Sequence, residues 1–472
     1  MLPVMSTLNS VTPLPATLNR KSLTAYLILV GLLYAALVGF LAYQGKTIPM
    51  LIVLGSPALL VLVTHPKLAV YSYIFLLLVK VDLATTIPVM ASDVGALILI
   101  GAALFDLLLT GSPGEKFPRF TLNYVALLAV LVIAGLFGYS FMLSIHPIAR
   151  IFLLFITFLA LYRLADKVEI LKALKLFYWL VVAHSVIAFA DFAAKGGHFR
   201  SFGLVDDTLD DFAMLALPIG LTLYLWQEHG YRKYLMGTWV VLAGLVATQS
   251  RAPLFFTLLA GFLVIWFSRR RARKEGTAFP LSRIKTLMVV TVGLTVLAVI
   301  AKPGLFLSFS NRFERLLTTT PGDTFRLRLI IWGQALSVFA QHPLLGLGPG
   351  TYKHYAEIFP TAHMEPLGYY IRGLSAHNLM LHYLAETGLV GFSTLFALFV
   401  NVFIASRRMA REAVGDKEKL LAVIMLVMAI IFLYTTPLEA AWMWGELSFT
   451  CVFFVALIAR QSQKIGRQRQ NA

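Results

Sequence analysis

The sequence holds one cysteine, Cys451. No intrachain disulfide can form, and no multi-cysteine metal site can be built. Charge is scarce as well. Asp, Glu, Lys and Arg make up 13% of 472 residues, and the acids are outnumbered by the bases, 23 to 40. The short alternating apolar and polar strands of a transmembrane barrel are missing. So are internal repeats and low-complexity stretches. The first 22 residues are polar and contain proline, and Arg20 and Lys21 precede the first apolar run, as in a short cytoplasmic tail. What remains is a chain 59% apolar with a mean hydropathy of +0.79. A soluble domain of this size cannot hide so much apolar surface, whereas a lipid-facing one need not.

Apolar runs of bilayer-crossing length recur from 24–43 to 441–458. Backbone groups in lipid must be satisfied internally, so the runs are read as helices. The expected fold is an all-α polytopic membrane protein with about 12, and up to 14, transmembrane helices. Its expected parts are a cytoplasmic tail (1–23), a first set of helices (24–301), a long loop with short helices of its own (302–382), a second set of helices (383–458) and a basic cytoplasmic tail (459–472). The net charge of +17 would suggest nucleic acid in a soluble protein. Here it follows the excess of Lys and Arg in cytoplasmic loops, so membrane lipids and not nucleic acid are the expected surroundings. Most of the bases fall in segments that are inner if the N-terminus is inside, with the run Arg269, Arg270, Arg271, Arg273 and Lys274 the strongest marker. That orientation makes the long loop periplasmic.

The loop concentrates the chemistry. A loop this long is unusual without a function. Asp323 can cap a helix from about Thr324 to Gln341, Pro343 stops it, and Gly346-Leu347-Gly348-Pro349-Gly350 makes a tight turn. Against the charge bias, the loop carries Lys302, Arg312, Arg315, Arg326, Arg328, Lys353 and Arg372. Arginine holds phosphate oxygens through a planar fork, so such a cluster suits a pyrophosphate at the membrane surface, although solvated surface charge explains most of the seven. Arg251 stands between two apolar runs, where an arginine either snorkels or serves a site. Arg200 lies in another outer loop. Five of the ten histidines sit in or beside the long loop: His342, His354, His363, His377 and His382. Histidine is the readiest base near neutral pH. Ser375 and Asn378 flank His377 and could orient its ring. The spacing of His377 and His382 is wrong for one helix face, and paired acidic or cysteine ligands are missing, so no metal or other cofactor is expected. Asp206, Asp207, Asp210 and Asp211 read more readily as helix-capping residues than as a cation site. Glu439 is a lone carboxylate at an outer turn that could orient a histidine or receive a proton.

Taken together, Arg328-Leu-Ile-Ile-Trp332, His342-Pro-Leu-Leu-Gly-Leu-Gly-Pro-Gly350, Ser375-Ala-His-Asn378 and Leu384-Ala-Glu-Thr-Gly-Leu-Val-Gly391 resemble the signature of the O-antigen ligase and polymerase superfamily. Arg200-Ser-Phe-Gly203 and Ser250-Arg251 resemble upstream positions of the same family. Four Asp after Arg200 depart from the Asn-containing turn of related chains, and they receive no role. The resemblance covers residues 198–440.

The resemblance implies a membrane glycosyltransferase, an O-antigen ligase. It would move a polysaccharide from undecaprenyl pyrophosphate to the lipid A-core at the periplasmic face of the inner membrane, without metal or cofactor, as a monomer. His377, Arg328 and Arg251 would be catalytic. Arg326, Arg200, Glu439 and Asn378 would bind substrate. His377 would act as general base in an inverting displacement, and the arginines would stabilise the departing pyrophosphate. The nearest alternative is the O-antigen polymerase, with the same donor and a lipid-linked glycan as acceptor. Protein O-glycosyltransferases and a lipid-linked-oligosaccharide flippase are further ones. A transporter would favour charge buried at mid-membrane and repeat symmetry, whereas here charge gathers at an outer mouth.

Overall fold

The computed structural model describes residues 47–79, 90–111, 118–195, 201, 209–226, 231–301, 324–354, 375–435 and 446–470. No strand occurs among them. The helices are α1 (Thr47–Thr64), α2 (Pro66–Leu77), α3 (Ala91–Thr110), α4 (Thr121–Phe137), α5 (Phe141–Leu164), α6 (Ile170–Ala194), α7 (Leu209–Trp226), α8 (Arg232–Thr248), α9 (Arg251–Glu275), α10 (Leu281–Ala301), α11 (Thr324–Gln341), α12 (Leu379–Glu412), α13 (Asp416–Thr435) and α14 (Glu446–Gln470). The chain divides into two units, 1–61 and 62–472. Of the first, only the helical stretch from residue 47 is described.

Six described helices are long and apolar enough to cross a membrane, or seven with one bent pair counted as a span. The class expected from composition, an all-helical protein with several membrane-crossing helices, is the class observed. Two helices form the centre. α7 is buried on every face from Leu209 to Leu225, and α13 is buried from Leu420 to Phe432. A helix apolar all round belongs inside a bundle. α7 packs on α6, α8, α9 and α13, and α12 packs on α4, α11, α13 and α14.

Several boundaries differ from the sequence reading, for local reasons. α5 begins at Phe141, about nine residues before the apolar run that marks it, because Ser140 caps it: its Oγ accepts the Leu143 N–H at 3.5 Å. Asp210 and Asp211 lie in the first turn of α7, the position their capping reading requires. α14 continues to Gln470, so the basic terminal stretch is helical over most of its length.

The helix directions fix two ends. Lys419 pairs with Glu275 at 2.8 Å, and Arg271 with Asp416 at 3.5 Å. The C-terminus of α9 therefore meets the N-terminus of α13. The C-terminus of α12 lies there too, since only residues 413–415 separate it from α13. The basic run Arg269–Lys274 marks this end. Arg251, at the start of α9, is about 37 Å away along a 25-residue helix. Asn378, at the start of α12, lies at that same distant end.

Candidate functional site

At the distant end a small hydrophobic cluster stands apart from the main core. It comprises Ile331, Ala335, Val338, Leu347, Tyr352, Ala376 and Ala385. Three segments meet on it: α11, the glycine-rich turn after Pro343, and the first turns of α12. α11 runs from Thr324 to Gln341, as its sequence pattern predicts.

The turn docks by backbone. Leu347 N–H donates to Ala385 O at 2.9 Å, Gly348 N–H to Glu386 O at 2.8 Å, and Leu389 N–H to Pro343 O at 2.8 Å. α12 opens to receive these bonds at Gly388, whose φ of 61° and ψ of −163° break the helix. A Cβ at Gly388 would strike the Leu344 carbonyl, and one at Gly346 would strike the Glu386–Thr387 peptide. The two backbones touch because neither glycine carries a side chain. On its other side the turn meets the α4–α5 hairpin. Tyr139 N–H donates to Leu347 O at 2.8 Å, and Ser144 Oγ donates to Pro349 O at 2.9 Å. Beside that hairpin runs an apolar groove of 790 Å³ lined by Val125, Leu128, Val132, Ile145, Ile148 and Phe152 among others.

On this support sits the segment Ser375–Asn378. The Trp332 indole N–H donates to Ala376 O at 3.0 Å. Ala376 N–H donates to Nδ1 of His382 at 3.5 Å, a long bond. His377 follows with φ 45°. That left-handed conformation is uncommon for a residue with a side chain, and it persists only where the surroundings over-determine it. The Ser375 Oγ lies 3.4 Å from the His377 N–H, which it accepts. Asn378 is the N-cap of α12: its Oδ1 accepts the Leu381 N–H at 3.0 Å. Sequence reasoning gave Ser375 and Asn378 to the imidazole. In the structure these contacts hold backbone, and the Asn378 oxygen expected to meet substrate is engaged in the cap.

Arg328 is half-buried on α11. It lies one turn before Trp332 and shares a face with it. Because Trp332 grips Ala376, the helix carrying Arg328 is tied to the residue preceding His377. Among the described residues Arg328 has no carboxylate partner. Arg251 is the first residue of α9, directly after Gln249 in a left-handed turn and Ser250. Ser201, next to Arg200, donates its N–H to Ala247 O at 3.1 Å and its Oγ to Asp191 at 2.5 Å. The chain beside Arg200 is thus fixed near the α8–α9 turn that leads to Arg251. Arg200 itself and Glu439 lie outside the described residues, as do the side chains of Arg251 and Arg326.

Sequence reasoning missed a buried pair. His382 and Glu386 are 0% and 1% exposed at their side chains, with Nε2 and Oε1 3.3 Å apart. The approach is within ion-pair distance but is not aligned as a hydrogen bond. Glu386 Oε1 also accepts the Tyr352 N–H at 3.1 Å. The Tyr352 ring meets the His382 ring edge-on at 5.3 Å, and its hydroxyl donates to Ile331 O at 2.8 Å. The available signal was an i, i+4 His–Glu spacing on a helix that Asn378 starts. Among the described residues no group of three or more His, Cys, Asp or Glu could hold a metal ion.

The fold and this end of it define a class: a multi-pass, all-helical membrane protein with an arginine-bearing helix tied to a strained histidine segment. Within that class, the O-antigen ligase family model matches residues 236–396. The match contains Arg251, Arg326, Arg328, His377, Asn378 and Glu386, and it supports membership of the O-antigen ligase/polymerase family. Members of that family are glycosyltransferase-like enzymes acting on lipid-linked glycans. No curated protein matches the chain significantly.

Proposed function

We propose that this chain is an O-antigen ligase. It transfers a polysaccharide from undecaprenyl pyrophosphate to the lipid A-core oligosaccharide at the periplasmic face of the inner membrane. The observation that carries the reading is the Trp332–Ala376 hydrogen bond, which ties the helix of Arg328 to the residue before His377. A base and an anion-binding group on one rigid support suit a displacement in which an acceptor hydroxyl loses a proton while a pyrophosphate departs.

In this reading His377 takes the proton from the acceptor hydroxyl, whose oxygen attacks the anomeric carbon. The bond from that carbon to the pyrophosphate oxygen breaks, and the anomeric centre inverts. Arg328 and Arg251 stabilise the negative charge that gathers on the leaving group, an electrostatic role. Arg326, Arg200 and Glu439 contact substrate from the site's edge, and Asn378 serves it through the helix start it caps. Neither metal nor cofactor enters a step. The groove between α4 and α5 offers apolar cover for an isoprenoid tail. The concentration of bases at the opposite end supports a periplasmic site through the positive-inside rule.

The test is a chromosomal deletion complemented in trans. A ligase deletion leaves polymerised glycan on undecaprenyl pyrophosphate and uncapped lipopolysaccharide. Wild-type chain restores capping, and His377→Ala, present in the membrane at equal level, does not. Single repeat units on the core of the deletion strain would assign a polymerase instead. Inward-facing donor would assign a flippase.

A further inference from the structure

We infer that His382 and Glu386 are a positioning pair that holds the His377 segment in its strained conformation; the inference rests on the reading of His377 as the base. The argument starts from burial. A carboxylate and an imidazole with almost no exposure sit at the edge of an apolar cluster of Val338, Leu347, Tyr352, Ala376 and Ala385. Glu386 Oε2 is buried and has no hydrogen-bond partner among the described residues. Such a group is costly, and well-packed apolar side chains at both positions would stabilise the fold as well or better. Packing alone does not account for the pair.

The hydrogen bonds give it a task. Ala376 N–H donates to His382 Nδ1. A ring that accepts at Nδ1 carries its proton on Nε2, and that nitrogen faces Glu386 Oε1 at 3.3 Å. The approach is not aligned as a hydrogen bond, but the nearby negative charge favours the tautomer that leaves Nδ1 free to accept. Glu386 is itself fixed by the Tyr352 N–H. Ala376 is then held through both of its backbone groups, by His382 at its N–H and by Trp332 at its C=O, the latter in the peptide that joins it to His377. The next residue is His377 at φ 45°. A clamp on the preceding peptide is what an unfavourable φ needs in order to persist. His382 and Glu386 touch no substrate in this scheme, and they act through the placement of His377.

The experiment uses the full-length protein, purified in detergent and returned to lipid. His382→Phe removes the acceptor and keeps the bulk. His382→Gln restores an acceptor and a donor. Hydrogen exchange of peptides spanning residues 375–379 should quicken in His382→Phe and return toward wild type in His382→Gln. Ligation turnover should fall roughly 10- to 100-fold in His382→Phe, the scale of a misplaced catalytic group, with donor KM little changed. On a His377→Ala background, His382→Phe should cost nothing further, because a positioning residue has nothing left to position. Glu386→Gln is measured alongside, so a His382→Phe chain that fails to accumulate leaves the test intact. It should quicken the same exchange. Wild-type exchange over 375–379 in the recovered variants overturns the inference. So does an additive loss on the His377→Ala background. A fully active His377→Ala overturns the proposed base instead, while the exchange measurement still reports on the clamp.

Discussion

The two ends of the helix bundle carry their cations differently. At the end marked by Arg269–Lys274, Arg163 and Lys167 share Asp106, Arg271 and Lys419 share Glu275, Arg408 takes Glu412, and Arg460 takes Asp166. Apart from Arg408–Glu412 within α12 and Arg271–Glu275 within α9, these pairs join separate segments. The arginines and lysine of the run with no carboxylate partner among the described residues, Arg269, Arg270, Arg273 and Lys274, are exposed. At the other end Arg328 is half-buried with no carboxylate partner among the described residues. The neighbouring histidine is in a left-handed turn, and the peptide joining it to Ala376 is bonded at both its N–H and its C=O. Matched charge is what a bundle needs in order to stand. Unmatched charge beside a strained backbone is a cost, and sites of chemistry are where such costs are found.

Arg150 sharpens the contrast, since it shows what a structural arginine looks like within a span. It pairs with Asp93, and its guanidinium lies 4.5 Å from the centroid of the Phe449 ring. It joins α3, α5 and α14, with one guanidinium nitrogen on Asp93 and another on the Met90 sulfur.

The comparison can be broken at several points. The largest effect is expected at Gly388. Gly388→Ala places a Cβ on the Leu344 carbonyl in a left-handed backbone, and little folded protein should survive extraction. Gly276→Ala also sits at positive φ, but nothing lies within 4 Å of the added carbon, so it should cost only about 1 kcal/mol. Equal melting losses for the two would show that the docked turn does not hold its end together. Next comes Asp93→Ala, which strands the buried Arg150 and should cost about 3–5 kcal/mol, read as a lower melting temperature in detergent. Arg328→Lys keeps the charge and loses the fork, so capping should fall roughly 10- to 100-fold with melting unchanged. Full activity would make the site's cation a point charge. Trp332→Phe deletes one hydrogen bond to Ala376 and should cost about 1 kcal/mol of stability together with part of the turnover. Arg408→Ala is the smallest: its side chain is 58% exposed, and the pair should contribute no more than about 0.5 kcal/mol. A larger loss there would erase the distinction between the two ends.

Much of this end was legible. Period and punctuation define α11, and Pro343 with the glycines after it defines the turn, because local geometry dictates both. The motifs around Arg328, His377 and Glu386 lie inside the region that the family model matches. What the sequence conceals is partnership. His382 was weighed against His377, five residues away and off its helix face, while its true neighbour is Glu386 one turn on. Asn378 reads as a ligand-facing amide, yet a polar residue before an apolar run is also a helix cap, and the cap holds its oxygen. Gly388 lies within a run long enough to be read as one membrane-crossing helix, and only the docked turn explains why the helix breaks there. Each of these depends on a segment distant in sequence, which periodicity does not report.

Tyr352 is bonded to Glu386 and Ile331, and Ala376 to His382 and Trp332. Tyr352 and Ala376 are thus two posts driven into the same pair of helices. A slip of α11 against α12 would pull on both at once, so the two helices and the segment before His377 act as one joint.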